Sequence, residues 1–176
     1  ITDCASCSSA LSLKNMEFLA GGPLNLEEAQ DFAGKVMDLT QFLAEKLELN
    51  LPPLSVEPIK VTYHDPCHLA NAQGIKQAPR TLLKLIPGLE LVEMDLANRC
   101  CGGSGTFALT HYDLSMKVLD KKMASAMATG AKYIATCCPS CTMQLRYGVK
   151  RHNGDAQVIH PVELISLYYQ KLSKSA

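Results

Sequence analysis

The 176 residues carry 17 basic and 17 acidic side chains and are 47% apolar, enough for one cored domain or one domain with a piece of its neighbour. The charges cancel without a long run of either sign, which excludes a nucleic-acid footprint and a polybasic membrane patch. No apolar stretch reaches the roughly 18 residues of a membrane span.

The chain opens Ile1-Thr2-Asp3-Cys4, with no initiator Met and no basic leader, which reads as a fragment boundary or a processing site. Leu26, Ala29, Phe32, Ala33, Val36, Leu43 and Leu47 then keep near-helical spacing, and Asn25 with Glu28 makes a cap signature, so one long helix is expected over 26–48. Pro52-Pro53 ends it and starts an extended linker. Beyond the linker, short strands alternate with helices. Strands are expected at Val61-Thr62-Tyr63, Leu91-Val92-Glu93-Met94, Tyr133-Ile134-Ala135-Thr136 and Val158-Ile159. A helix with Pro79 in its first turn runs to Pro87-Gly88, and a second spans about Asp113 to Thr129, with Leu114, Val118, Leu119 and Met123 as its apolar set and Gly130 as its stop. A third runs from Pro161 through Leu172. This alternation predicts an α/β domain: a parallel sheet of about four strands with helices on both faces, preceded by a helical segment.

Eight cysteines would form disulfides in a secreted mini-protein, but a core of this size needs no staples and no export signal is seen. A chain with CxxC pairs in that setting points to metal or redox work, and a cytoplasmic location is expected. The later cysteines follow predicted strands. Cys67 comes after the first, Cys100-Cys101 after the second, and Cys137-Cys138 and Cys141 after the third. Loops at the carboxyl ends of parallel strands converge on one edge, so these residues should meet there.

Four thiolates could hold a zinc ion or a cubane cluster. Cys67, Cys100, Cys101, Cys138 and Cys141 make five, with Cys137 a candidate sixth, which favours a polynuclear centre. Gly102, Gly103 and Gly105 permit close backbone approach and N–H donation to sulfur. Gly103-Ser104-Gly105-Thr106-Phe107-Ala108 also matches a dinucleotide fingerprint, but the acidic residue that motif needs after the next strand is missing, since Thr136 leads into Cys137-Cys138. His64 and His160, on the same predicted edge, are assigned supporting roles around the cysteine loops, and His111 and His152 read as surface residues.

The runs Tyr63-His64-Asp65-Pro66-Cys67-His68, Cys100-Cys101-Gly102-Gly103-Ser104-Gly105-Thr106-Phe107 and Cys138-Pro139-Ser140-Cys141 resemble the CCG cysteine-rich domain family, which includes the heterodisulfide reductase B subunit and the iron–sulfur subunits of glycolate and lactate oxidases. The gaps between the three elements are 32 and 36 residues. The resemblance covers about residues 59–165, and the loop wording with His160-Pro161 is nearer to the hydroxy-acid oxidase subunits. It implies that Cys67, Cys100, Cys101, Cys138 and Cys141 hold an iron–sulfur cluster, of 4Fe-4S or noncubane type, with His64, Gly102, Gly103 and His160 around it. Some relatives carry zinc instead. Such proteins usually carry the domain twice, and Cys4-Ala5-Ser6-Cys7 resembles the closing CxxC of a first repeat whose other ligands would precede Ile1. Residues 1–58 are thus expected to be the end of a truncated first repeat with a helix and linker, 59–176 the second repeat, and Cys4 and Cys7 to bind nothing specific here.

The function implied is an electron-transfer module of a 2-hydroxy-acid oxidoreductase or a heterodisulfide reductase-like complex, a redox subunit rather than a complete enzyme. Its partners would be a flavoprotein or another redox subunit, with attachment to the inner membrane face only through them. A metal-free thiol–disulfide catalyst at Cys138–Cys141 and a zinc-binding interaction domain are the rivals.

Overall fold

A computed structural model describes residues 1–12, 26–53 and 57–175. Four strands, β1 (Ile59–Tyr63), β2 (Leu89–Leu91), β3 (Tyr133–Ala135) and β4 (Gln157–Ile159), form one parallel sheet in the order β2-β1-β3-β4. The helices among the described residues are α1 (Ala5–Leu11), α2 (Leu26–Gly34), α3 (Leu39–Lys46), α4 (Cys67–Ala70), α5 (Gln77–Leu85), α6 (Phe107–Thr110), α7 (Tyr112–Ala128), α8 (Pro139–Arg151) and α9 (Pro161–Ser175). Right-handed crossovers that move outward from β1 in both directions place helices on both faces. The packing agrees, since α7 lies against α8 while α5 lies against α3 and α9. Gly148 lets α8 approach α7 closely; a Cβ there would stand 2.6 Å from Met123 Cγ.

The core runs through the sheet, with Val61, Tyr63, Leu82, Leu83, Leu119, Met123, Ile134 and Leu145 buried. β1 and β3 lie at the centre, and between them the direction of winding reverses. Open α/β sheets build their sites at the carboxyl ends of such a strand pair, and Cys67 and Cys138 follow those two ends.

Two expectations need correction. Residues 26–48 form two helices, because the chain turns at Lys35–Asp38. The amides of Lys35 and Val36 close back onto Phe32 O and Ala33 O, and the Asp38 carboxylate caps α3 by accepting from Thr40 N at 2.8 Å. The expected Asn25 cap lies outside the described residues. Second, β2 ends at Leu91, with Val92 N making the last ladder bond to Val61 O, and Met94 lies beyond it as a buried loop residue. α7 also differs in detail. Leu114 is 52% exposed, whereas Ser115 and Lys122 join Leu119, Met123 and Ala126 on the buried stripe. Those two polar residues face inward because they bond the loops that carry Gly102 and Leu96.

The first twelve residues are docked onto this sheet. Thr2 bridges to Asp38, Ala5 N donates to Cys137 O at 3.0 Å, and Gln73 Nε2 donates to Ala5 O and Ser8 Oγ. α1 packs against α4.

Candidate metal centre

Each sulfur-bearing loop is held by its own polar anchor. After β1, the Asp65 carboxylate accepts two bonds from Arg80, both 2.8 Å, while the same guanidinium reaches Glu93 at 2.7 Å and lies 5.0 Å over the Tyr63 ring. Asp65 N donates to Ala97 O. This network joins the Cys67 loop to the loop that leads into Cys100, and both acids drive the Arg80 pKa further up. A bidentate, largely buried guanidinium–carboxylate pair fixes orientation as well as distance.

The Cys100–Gly103 loop is pinned from the helices. Ser115 Oγ donates to Gly102 O at 2.9 Å and receives Gln144 Nε2 at 3.1 Å, and Ser140 Oγ donates to Gly103 O. Gly102 has φ +87, and a Cβ on it would stand 2.6 Å from Ser115 O, so only glycine fits. Its N–H donates to Cys100 Sγ at 3.3 Å.

The sulfurs form a line. The Cys101 and Cys141 sulfurs and a His64 ring nitrogen all lie within 4.8 Å of one another. Cys100, Cys101, Cys141 and Cys138 neighbour one another in that order, and each pushes the next one's pKa in the opposite direction. Cys101 is held far below the ordinary thiol range by Cys100 and Cys141, and Cys138 is lowered to about 5, chiefly by Cys141 with help from the amides that open α8. Cys100 and Cys141 are correspondingly pushed well above it. Cys67 stands at the start of α4 on the same edge, its sulfur 3.7 Å from His68 Nδ1, and its charge contributes to raising Cys100. All eight cysteines are free thiols.

Cys137 points elsewhere. Its sulfur is fully buried, 3.3 Å from the Tyr63 hydroxyl, and burial raises its pKa. His64 is buried against Cys101 with neither ring nitrogen hydrogen-bonded. His160 Nδ1 accepts from Val162 N, while its Nε2 is buried without a partner and burial lowers its pKa. His111 stacks on Phe107, and His152 pairs with Asp120.

Sequence reasoning missed two features. The Cys4 pair reaches this edge, since Ser6 Oγ lies 3.2 Å from Cys4 Sγ and 4.0 Å from Cys138 Sγ. The other is Lys122, a buried cation that donates to Leu96 O and Ala97 O and feels the charges of Cys101, Cys100 and Cys141. Lysine at a helical spacing otherwise filled by Leu and Met was the available signal for it.

A run of neighbouring cysteines of which Cys101, Cys138 and Cys141 are buried, with an unbonded imidazole beside it, has the donor chemistry of a soft, thiophilic metal centre. The fold and this edge define an α/β domain whose cysteine loops gather at the carboxyl edge of a parallel sheet.

The particular family follows from sequence comparison. The CCG cysteine-rich domain matches residues 61–146. A probable glycolate oxidase iron–sulfur subunit of Bacillus subtilis (strain 168) is 36% identical over 168 residues, covering 94% of this chain and 37% of the relative. The B subunit of the fumarate reductase (CoM/CoB) of Methanothermobacter marburgensis is 32% identical, covering 96% and 32%. Lactate utilization protein A 2 of Bacillus cereus (strain Q1) is 31% identical, covering 94% and 68%. The chain belongs to the CCG cysteine-rich domain family. It spans only about a third of the first two relatives. No helix among the described residues is long and apolar enough to cross a membrane.

Proposed function

We propose that this chain is an iron–sulfur electron-transfer module in which Cys67, Cys100, Cys101, Cys138 and Cys141 hold the cluster. The observation that carries the reading is the convergence of sulfurs on one edge: the Cys101 and Cys141 sulfurs lie with a His64 ring nitrogen within 4.8 Å of one another, Cys138 caps the start of α8 three residues before Cys141, and Cys67 opens α4 in the neighbouring loop. The donor set fits the group: five cysteines on one edge and a glycine backbone shaped for close approach. Bound there, a cluster of 4Fe-4S or noncubane type would take up and release single electrons. The chain's own residues do the rest. Gly102 N and the first amides of α8 offer N–H groups to sulfur, Lys122 places a buried positive charge near the thiolates, and the Asp65–Arg80–Glu93 network fixes the loops of Cys67 and Cys100. His64 stands beside the centre rather than among the five ligands, whereas His160 faces Asp38, Asp3 and Glu163.

The iron–sulfur relatives support this reading over a metal-free thiol–disulfide catalyst or a zinc-binding interaction domain. Their names also support a parent that is a 2-hydroxy-acid oxidoreductase or a heterodisulfide reductase-like complex; on this proposal that parent lies in the cytoplasm, with a flavoprotein or other redox subunit as partner and attachment to the inner membrane face through such proteins. Within that parent, residues 1–58 close a first CCG repeat and lead to the second at 59–176. The test is anaerobic reconstitution with iron and sulfide. The expected result is about four irons per chain with matching sulfide and reversible bleaching of the visible absorption by dithionite; stoichiometric zinc with no retained iron would overturn the reading.

A further inference from the structure

Beside Cys100, between the loop that enters the cysteine pair and the outer side of α7, lies a cavity of about 430 Å³. Arg99, Lys121 and Lys122 bring three cations to its wall, Leu96 and Val118 supply apolar surface, and the Cys100 side chain forms one side. Asp95 is the acidic residue of the lining. Among the described residues none of the three cations forms a salt bridge. Lys122 is 3% exposed. Its ammonium is fixed by the carbonyls of Leu96 and Ala97, which occupy its N–H groups without neutralising its charge. The Leu96 carbonyl is presented from a left-handed backbone conformation, φ +54. Lysine is almost never buried to this extent unless paired, and the charges that act on Lys122, those of Cys101 and Asp65, come from the cysteine edge rather than from the cavity.

We propose that this cavity binds a short-chain dicarboxylate. The charge of Lys122 is shared with Cys101 and Asp65 behind the wall, so the exposed Arg99 and Lys121 are the two cations a ligand with two anionic heads would meet. Arg99 offers a planar fork suited to a carboxylate, and Lys121 a mobile ammonium. The cavity is of the size that takes a small molecule, roughly 300 Å³ or more. Leu96 and Val118 accommodate the short hydrocarbon link. Bound there, the ligand covers the exposed Cys100 sulfur. Only this last consequence touches the cluster reading; binding itself does not need a cluster.

The test uses the metal-free protein with malonate as the probe. Malonate should shift the amide resonances of residues 95–100 and of the middle of α7. It should also slow maleimide labelling of Cys100, read by peptide mass spectrometry, while leaving the exposed Cys7 unaffected. Arg99→Gln and Lys121→Gln, both at exposed positions, should each weaken binding about tenfold with unchanged thermal melts. Malonamide, the neutral analogue, should not bind, and propionate and inorganic phosphate should bind more weakly than malonate. The proposal is overturned if malonate causes no shift, if the variants bind as the parent does, if labelling of Cys100 and Cys7 falls equally, or if phosphate or malonamide binds as tightly. Iron content after reconstitution, measured separately, reports on the cluster reading alone.

Discussion

Cys138–Cys141 and Cys4–Cys7 share the CxxC spacing and the same edge of the sheet, yet differ in burial, helix and partners. The first opens a 13-residue helix, both sulfurs are buried, and Cys101 lies against them. The second opens a seven-residue helix, Cys7 is exposed, and the sulfurs interact with each other, with Ser6 and weakly with Cys138. Spacing brings two sulfurs together in both places. Burial and the neighbouring Cys101 set the first apart from the second. Ser6, between Cys4 and Cys138, is where the two turns meet.

That contrast breaks if both turns serve one centre. The largest effect is expected from Cys138→Ala and Cys141→Ala, each of which should lose most of the iron and visible colour after anaerobic reconstitution. Cys4→Ala and Cys7→Ala, measured in parallel, should keep the iron-to-protein ratio of the parent chain. Equal losses would merge the two turns into one site. The scaffold of the buried side comes next. Arg80→Met leaves the Asp65 carboxylate buried and unpaired, and should lower stability by about 3 kcal/mol in denaturant titrations. Lys35→Met, which breaks an exposed pair with Asp31, should fall within about 0.5 kcal/mol of the parent.

Smaller effects sharpen the assignment within Cys137-Cys138. Cys137→Ala removes the partner of the buried Tyr63 hydroxyl and should cost about 1–2 kcal/mol while leaving iron content unchanged. A further effect is in pH. Cys138 and Cys101 have folded pKa values below their unfolded ones, so their stabilisation is present above the ordinary thiol pKa and is lost as pH falls. Cys100 and Cys141 are raised, so theirs is lost only above that range. The melting temperature of metal-free protein should therefore rise from about pH 6 to about pH 8; a fall over that interval would contradict the opposed pKa shifts.

Much of the fold is legible in the sequence, because alternating apolar strands and Gly- or Pro-punctuated helices encode a parallel sheet directly, and sheet topology then carries the cysteine loops to one edge. The break at Asp38 is hidden, since apolar periodicity runs across it and the capping carboxylate acts on a residue only two positions away. The length of β2 is misjudged because Val92 and Met94 are apolar for the loop's packing rather than for the ladder. Two features need three-dimensional contacts to be seen at all: the return of Cys4 to Cys138, 134 positions along the chain, and the burial of Lys122 against loop carbonyls.

Iron K-edge X-ray absorption of the anaerobically reconstituted protein tests the central claim most directly. Sulfur-dominated scattering from the nearest neighbours together with an iron–iron distance is expected, both lost in Cys101→Ala and both kept in Cys7→Ala. Mononuclear iron with nitrogen or oxygen neighbours, or a spectrum indifferent to Cys101, would contradict a cysteine-ligated cluster on this edge.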